Sequence, residues 1–133
     1  MILLAEDKKR ILVVEDEGIV AMTLEDSLFN LGYEVAGTAD DSRSAIELAE
    51  KEKPDLILMD IRLRGDIDGI ETVERINEKM DVPVIFLTAH SDEETLSRML
   101  KTRPYGFLVK PFREKELYAN IEAAIARHRL SKK

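Results

Sequence analysis

The chain of 133 residues contains no cysteine, so neither a disulfide framework nor a thiolate zinc site is open to it, and a reducing compartment is compatible with it. No apolar run approaches the roughly 18 residues that a membrane span requires. The apolar opening MILLA, residues 1–5, has no basic stretch before it and runs directly into EDKKR, which makes it a poor signal peptide. Positive charge is in deficit: 20 Lys and Arg against 27 Asp and Glu give a net charge of -7. That balance argues against an extended nucleic-acid face and suits a soluble cytosolic protein. Neither GxxxxGK[ST] nor GxGxxG occurs, so the glycines of RGDIDG do not form a nucleotide phosphate cradle and read as loop residues. Internal repeats, low-complexity tracts and interdomain linkers are also lacking, and the length fits one domain around one core.

What the chain does contain is an alternation. Four short apolar runs, ILVVE (11–15), LILMD (56–60), VIFLT (84–88) and GFLVK (106–110), are too short for helices. Their continuous hydrophobicity predicts strands buried on both faces. A fifth run, YEVAGT from Tyr33, follows Gly32, an expected helix C-cap, and alternates as an outer strand does. Helical periodicity fills the intervals: Ile19, Met22, Leu24, Leu28 and Leu31; Ala45, Leu48 and Ala49; Ile70, Val73, Ile76 and Met80; Leu96, Met99 and Leu100; and Leu117, Ile121, Ala124 and Ile125. Strand and helix alternating in this way predict an α/β domain, a doubly wound five-stranded parallel sheet with helices on both faces. The terminal RHRLSKK reads as a fraying basic helix end, and His128 as a solvated or partly packed side chain.

In an open parallel sheet the ligand site lies beyond the carboxyl ends of the strands. There the first run delivers Glu15 and Asp16, the third Asp60, the fourth Thr88 and the fifth Lys110. Any one of these alone is an ordinary polar strand end; their joint placement is not. An aspartate closing a buried run is costly without a partner. Several carboxylates brought together repel one another, and a hard divalent cation with oxygen ligands relieves the repulsion, so Mg²⁺ is the expected occupant.

Five motifs in order, ILVVEDE, DLILMD, DG at Asp68–Gly69, VIFLTA and GFLVKPF, resemble the receiver domains of two-component response regulators over nearly the whole chain. The resemblance implies the flavodoxin-like (βα)5 fold, with an extension at 1–9, the receiver domain at 10–130 and a tail at 131–133. It implies that Asp60 is the phosphoacceptor, Glu15 and Asp16 the acidic pair for Mg²⁺, Thr88 the switch hydroxyl, Lys110 the phosphate-binding cation and Phe107 the switch aromatic. A main-chain carbonyl at Arg62 completes the metal set, and the Lys110–Pro111 bond is expected to be cis. Departures from the common pattern are Glu-Asp in place of Asp-Asp, a longer loop IRLRGDIDG without its frequent proline, and Phe107 in place of Tyr. From Glu-Asp we expect Asp16 as the direct ligand and Glu15 acting through a metal-bound water.

The same resemblance implies a sensor histidine kinase or phosphotransfer protein as donor. The domain would promote its own phosphorylation and dephosphorylation without being a metabolic enzyme. Arg62 and His90, two residues beyond Asp60 and Thr88, would flank the attacking water and lengthen the life of the phosphoryl group. The output would be protein–protein contact through the fourth helix, fifth strand and fifth helix, with a downstream partner or, weakly and on phosphorylation, a second copy. Opposite charges at Arg98, Lys101 and Arg103 and at Glu114, Glu116 and Glu122 are available for such a dimer. A pseudo-receiver that binds without being phosphorylated is the alternative, disfavoured because aspartate, lysine and acidic pair are all present. A DNA-binding regulator is disfavoured by length.

Overall fold

In the computed structural model, residues 8–89 and 92–132 are described. The strands are β1 (Arg10–Val14), β2 (Glu34–Ala39), β3 (Leu56–Asp60), β4 (Val84–Thr88) and β5 (Gly106–Val109), each followed by a helix: α1 (Gly18–Asn30), α2 (Ser42–Glu52), α3 (Gly69–Lys79), α4 (Glu93–Lys101) and α5 (Glu114–Leu130). They form one parallel sheet in the order β2-β1-β3-β4-β5. The chain direction across the sheet reverses between β1 and β3, which opens a crevice at their carboxyl ends. Asp16 and Asp60 therefore meet there.

Burial explains the central runs. Every residue of β3 and β4 is buried, because apolar layers cover both faces. One layer carries α2, α3 and α4 over Leu12, Ile57 and Phe86; the other carries α1 and α5 over Val13, Leu58 and Leu87. Helices α2, α3 and α4 each start on an aspartate, Asp41, Asp68 and Asp92, whose carboxylate accepts from the backbone N–H of Ser44, Glu71 and Thr95 respectively. Leu31 caps the C-terminal end of α1, and Gly32 follows at φ 91°, the left-handed backbone that a glycine admits without strain.

Four expectations need correction. On α1 the buried stripe is Ala21, Leu24 and Leu28; Ile19 and Met22 are 82% and 64% exposed, since the 3.6-residue period turns them to the opposite side. Strand β5 is an edge strand rather than one buried on both faces: Leu108 is buried, while Phe107 and Val109 are exposed. Leu108 packs on the α1–α5 side, so its neighbours project to the other face, and α4 does not cover them. On α4, Leu100 is exposed and Met99 alone is buried. The basic end of α5 is held rather than frayed: the Arg127 guanidinium donates to the Tyr105 carbonyl, and His128 Nε2 lies 3.1 Å from Asp81 Oδ1.

Candidate phosphoacceptor site

Three strand ends and one loop build the site. Glu15 follows β1, its N–H donating to the Ala39 carbonyl at 2.9 Å, and Asp60 is the last residue of β3. Lys110 follows β5; its N–H donates to the Thr88 carbonyl at 2.8 Å, and its bond to Pro111 is cis, as expected. The Lys110 ammonium donates to Glu15 Oε1 at 2.8 Å and to Asp60 Oδ2 at 2.9 Å. The second oxygen of Asp60 accepts from the Arg62 N–H at 3.1 Å. Asp16 completes the acidic set: one oxygen from each of Glu15, Asp16 and Asp60 lies within 4.8 Å of the others. Such a cluster of carboxylate oxygens fits a hard, oxygen-seeking divalent cation. Asp16, Asp60 and Lys110 open into a cavity of about 410 Å³ that Thr88, Arg62 and Thr95 also line.

The charges in this site act on one another at short range. Glu15 is only 2% exposed, and burial, reinforced by Asp60, pushes its carboxyl up to about 7 against the opposing pull of Lys110. Burial alone would lower the Lys110 ammonium, but its bonds to Glu15 and Asp60 outweigh that and hold it above the ordinary lysine value. Lys110 is therefore a fixed cation shared by two carboxylates. A bound cation would relieve the same repulsion from the other side.

Two features escaped the sequence argument. Gly69 is not merely a loop residue: it opens α3, its N–H donates to the Ile61 carbonyl at 2.6 Å, and a Cβ there would overlap the Asp60 carbonyl. Lack of space, not a positive φ, demands the glycine. Its place directly after an N-cap aspartate was the available signal. The long loop after Asp60 follows a defined path, because the Arg64 backbone pairs with that of Asp41 in an isolated parallel β-bridge and its N–H donates to the Asp40 carbonyl at 3.2 Å.

Of the other expected residues, Thr88 is buried beside the cavity and Phe107 is 40% exposed. His90 lies outside the described residues. Of the charges expected to serve a dimer, three are engaged within the chain: Arg98 pairs with Asp68 at 2.9 Å, Glu122 accepts from the Tyr33 hydroxyl at 2.6 Å, and Glu116 accepts from the Arg113 N–H at 3.0 Å.

A five-stranded parallel sheet with this order and an aspartate–lysine–acidic pair site defines the receiver class, and the response regulator receiver domain model matches residues 11–122. The chain belongs to that family. It is 39% identical over 121 residues to the transcriptional regulatory protein PdtaR of Mycobacterium tuberculosis, covering 91% of this chain and 58% of that protein. To the uncharacterized transcriptional regulatory protein YrkP of Bacillus subtilis it is 40% identical over 119 residues, covering 90% of this chain and 50% of that one. The chain thus spans about half the length of the curated relatives it matches. The signal receiver domain of a modulated diguanylate cyclase from Desulfovibrio desulfuricans superposes with a TM-score of 0.89 at 38% identity, covering 94% of this chain and 99% of that one. Chemotaxis protein CheY4 of Vibrio cholerae gives 0.80 at 27% identity, covering 88% and 98%. Among the described residues no helix is long and apolar enough to cross a membrane.

Proposed function

We propose that this receiver domain accepts a phosphoryl group on Asp60 and converts its presence into a change of the α4–β5–α5 face. The observation that carries the proposal is the meeting of the Lys110 ammonium, Glu15 and Asp16 on one nearly buried carboxylate. The oxygen of Asp60 attacks the phosphorus of a phosphohistidine or a small phosphodonor. The new O–P bond forms as the P–N or P–O bond to the donor breaks, and the electron pair leaves with the imidazole or other leaving group. The product is an acyl phosphate.

Mg²⁺, when bound, supplies positive charge to the oxygens of the transferring group. Asp16 and Asp60 would hold it, with the main-chain carbonyl of Arg62 as a further oxygen ligand, and Glu15 would act less directly. Lys110 is already on Asp60 and needs only to pass to a phosphoryl oxygen; Thr88, buried at the cavity wall, donates to another. Arg62 flanks the path of the water that later hydrolyses the group and, with His90, lengthens its life. A histidine kinase or phosphotransfer protein is the donor. An apolar groove of about 470 Å³ between α1 and the turn after Lys110, lined by Ile19, Val20, Pro111 and Phe112, supports this by giving the donor a seat beside the site.

Output follows from the exposed side of β5. Movement of Thr88 toward the phosphoryl group vacates space into which Phe107 turns. Phe107 and Val109 of β5 and Leu100 of α4 are exposed, and these uncovered apolar side chains are available to a downstream protein or a weakly associating second copy. Treatment with acetyl phosphate and Mg²⁺, followed by mass spectrometry, should show one base-labile phosphoryl adduct. Asp60→Asn should abolish it; an undiminished adduct in that variant would overturn the assignment.

A further inference from the structure

Helix α4 is tied to the site by a charge contact that the chemistry above does not use. One Arg98 guanidinium nitrogen, in the middle of α4, lies 2.9 Å from Asp68 Oδ2 and 3.3 Å from Oδ1. Asp68 itself cannot follow a moving helix. Its carboxylate caps α3 by accepting from the Glu71 N–H at 2.9 Å, and the next residue, Gly69, is wedged against the Asp60 carbonyl. The other end of the contact is different. Met99 is the buried residue of α4, and beyond its C-terminal end an open cavity of about 320 Å³ lies between α3 and the loop that leads to β5, lined by Val73, Asn77, Met80 and Thr102. A shift of α4 therefore stretches the ion pair while the Asp68 end stays put.

We propose that the Arg98–Asp68 pair restrains α4 in its unphosphorylated position, so that occupancy of Asp60 is linked to release of the pair. The inference rests on the phosphoacceptor reading of Asp60. A contact made only in the resting state opposes activation, and its removal must strengthen binding of an activating ligand by the same factor. For a pair as exposed as this one the factor is about 1.5- to 5-fold.

Arg98→Gln and Asp68→Asn separate this idea from simple electrostatics. The first removes a positive charge near the anion site and the second a negative one, so a through-space field would move anion affinity in opposite directions. Release of a restraint moves it in one. Asparagine caps a helix as well as aspartate does, so α3 keeps its cap. Beryllofluoride with Mg²⁺, titrated calorimetrically into the wild type and variants, should bind about 1.5- to 5-fold more tightly to both, and no more tightly to the double variant than to either single one. Without beryllofluoride or Mg²⁺, amides of α4 should exchange faster in both variants while those of α3 do not change. Opposite shifts in the two variants, unchanged affinity, or tighter binding with unchanged α4 exchange would each overturn the restraint. A wild type that fails to bind beryllofluoride would instead overturn the phosphoacceptor reading, and α4 exchange would then judge the restraint alone.

Discussion

Helices α3 and α4 pack on the same face of the sheet, yet they are held there by different means. Helix α3 buries Gly69, Ile70, Thr72, Val73 and Ile76, whereas α4 buries Met99 alone. As helices they are built alike. Each has an aspartate N-cap, acidic residues in its first turn and basic residues in its last, which suits the helix dipole. The difference lies in docking and not in local propensity. A well-capped helix on a shallow seat keeps its shape while its position changes, which is what a domain needs if it is to fix its chemistry on one side and vary its surface on the other.

The largest expected contrast is in core truncation. Ile76→Ala on α3 should cost about 2–5 kcal/mol, the range for deleting a buried isoleucine. Leu100→Ala on α4, where the side chain is exposed, should stay within about 0.5 kcal/mol. Denaturant unfolding of the two variants measures both; equal losses would mean that α4 is docked as firmly as α3. Next in size is the seam between Asp60 and α3. Gly69→Ala forces a methyl group onto the Asp60 carbonyl and should cost about 1–3 kcal/mol. Gly18→Ala, at the start of α1 where nothing lies within 4 Å of the added carbon, should be neutral or stabilising by up to about 1 kcal/mol. A Gly69→Ala variant as stable as the wild type would show that the site has no rigid side.

Local opening gives a smaller and more direct measure. Amides within α4 should exchange at least about tenfold faster than those in the middle of α3, about 1.4 kcal/mol of difference in opening free energy. Matching protection in the two helices would erase the comparison.

How much of this could be read beforehand follows the same division. The central strands β3 and β4 and the buried stripes of α3 and α5 were plain in the sequence, because burial on both faces or along one stripe leaves an unambiguous pattern. The convergence of polar residues at the ends of β1, β3, β4 and β5 was plain too, since strand order brings polar ends together whatever the details of packing. Where cover is incomplete, pattern fails. Phe107 and Val109 look like core residues in GFLVK and are exposed, because β5 is an edge and α4 stops short of it. Ile19 and Met22 look like the core stripe of α1 and face away from it. The wedge at Gly69 and the pairing of Arg98 with Asp68 depend on distances between elements, and no spacing within one element encodes them.

The smallest effect tests the far end of the α3–α4 cleft. Asn77 on α3 donates from Nδ2 to the Thr102 carbonyl at 3.3 Å, and Thr102 in turn donates from Oγ1 to the Met99 carbonyl at 2.7 Å. Asn77 thus tethers the last turn of α4, and the bond is long enough that its loss should cost no more than about 1 kcal/mol. Asn77→Ala should leave denaturant unfolding almost unchanged, because the buried residues of α3 do not depend on it. The loss should appear instead as faster exchange at Leu100, Lys101 and Thr102, with Val73 and Ile76 unaffected. If protection fell equally in both helices, α3 and α4 would open as one unit, and α4 could not be the element that shifts alone.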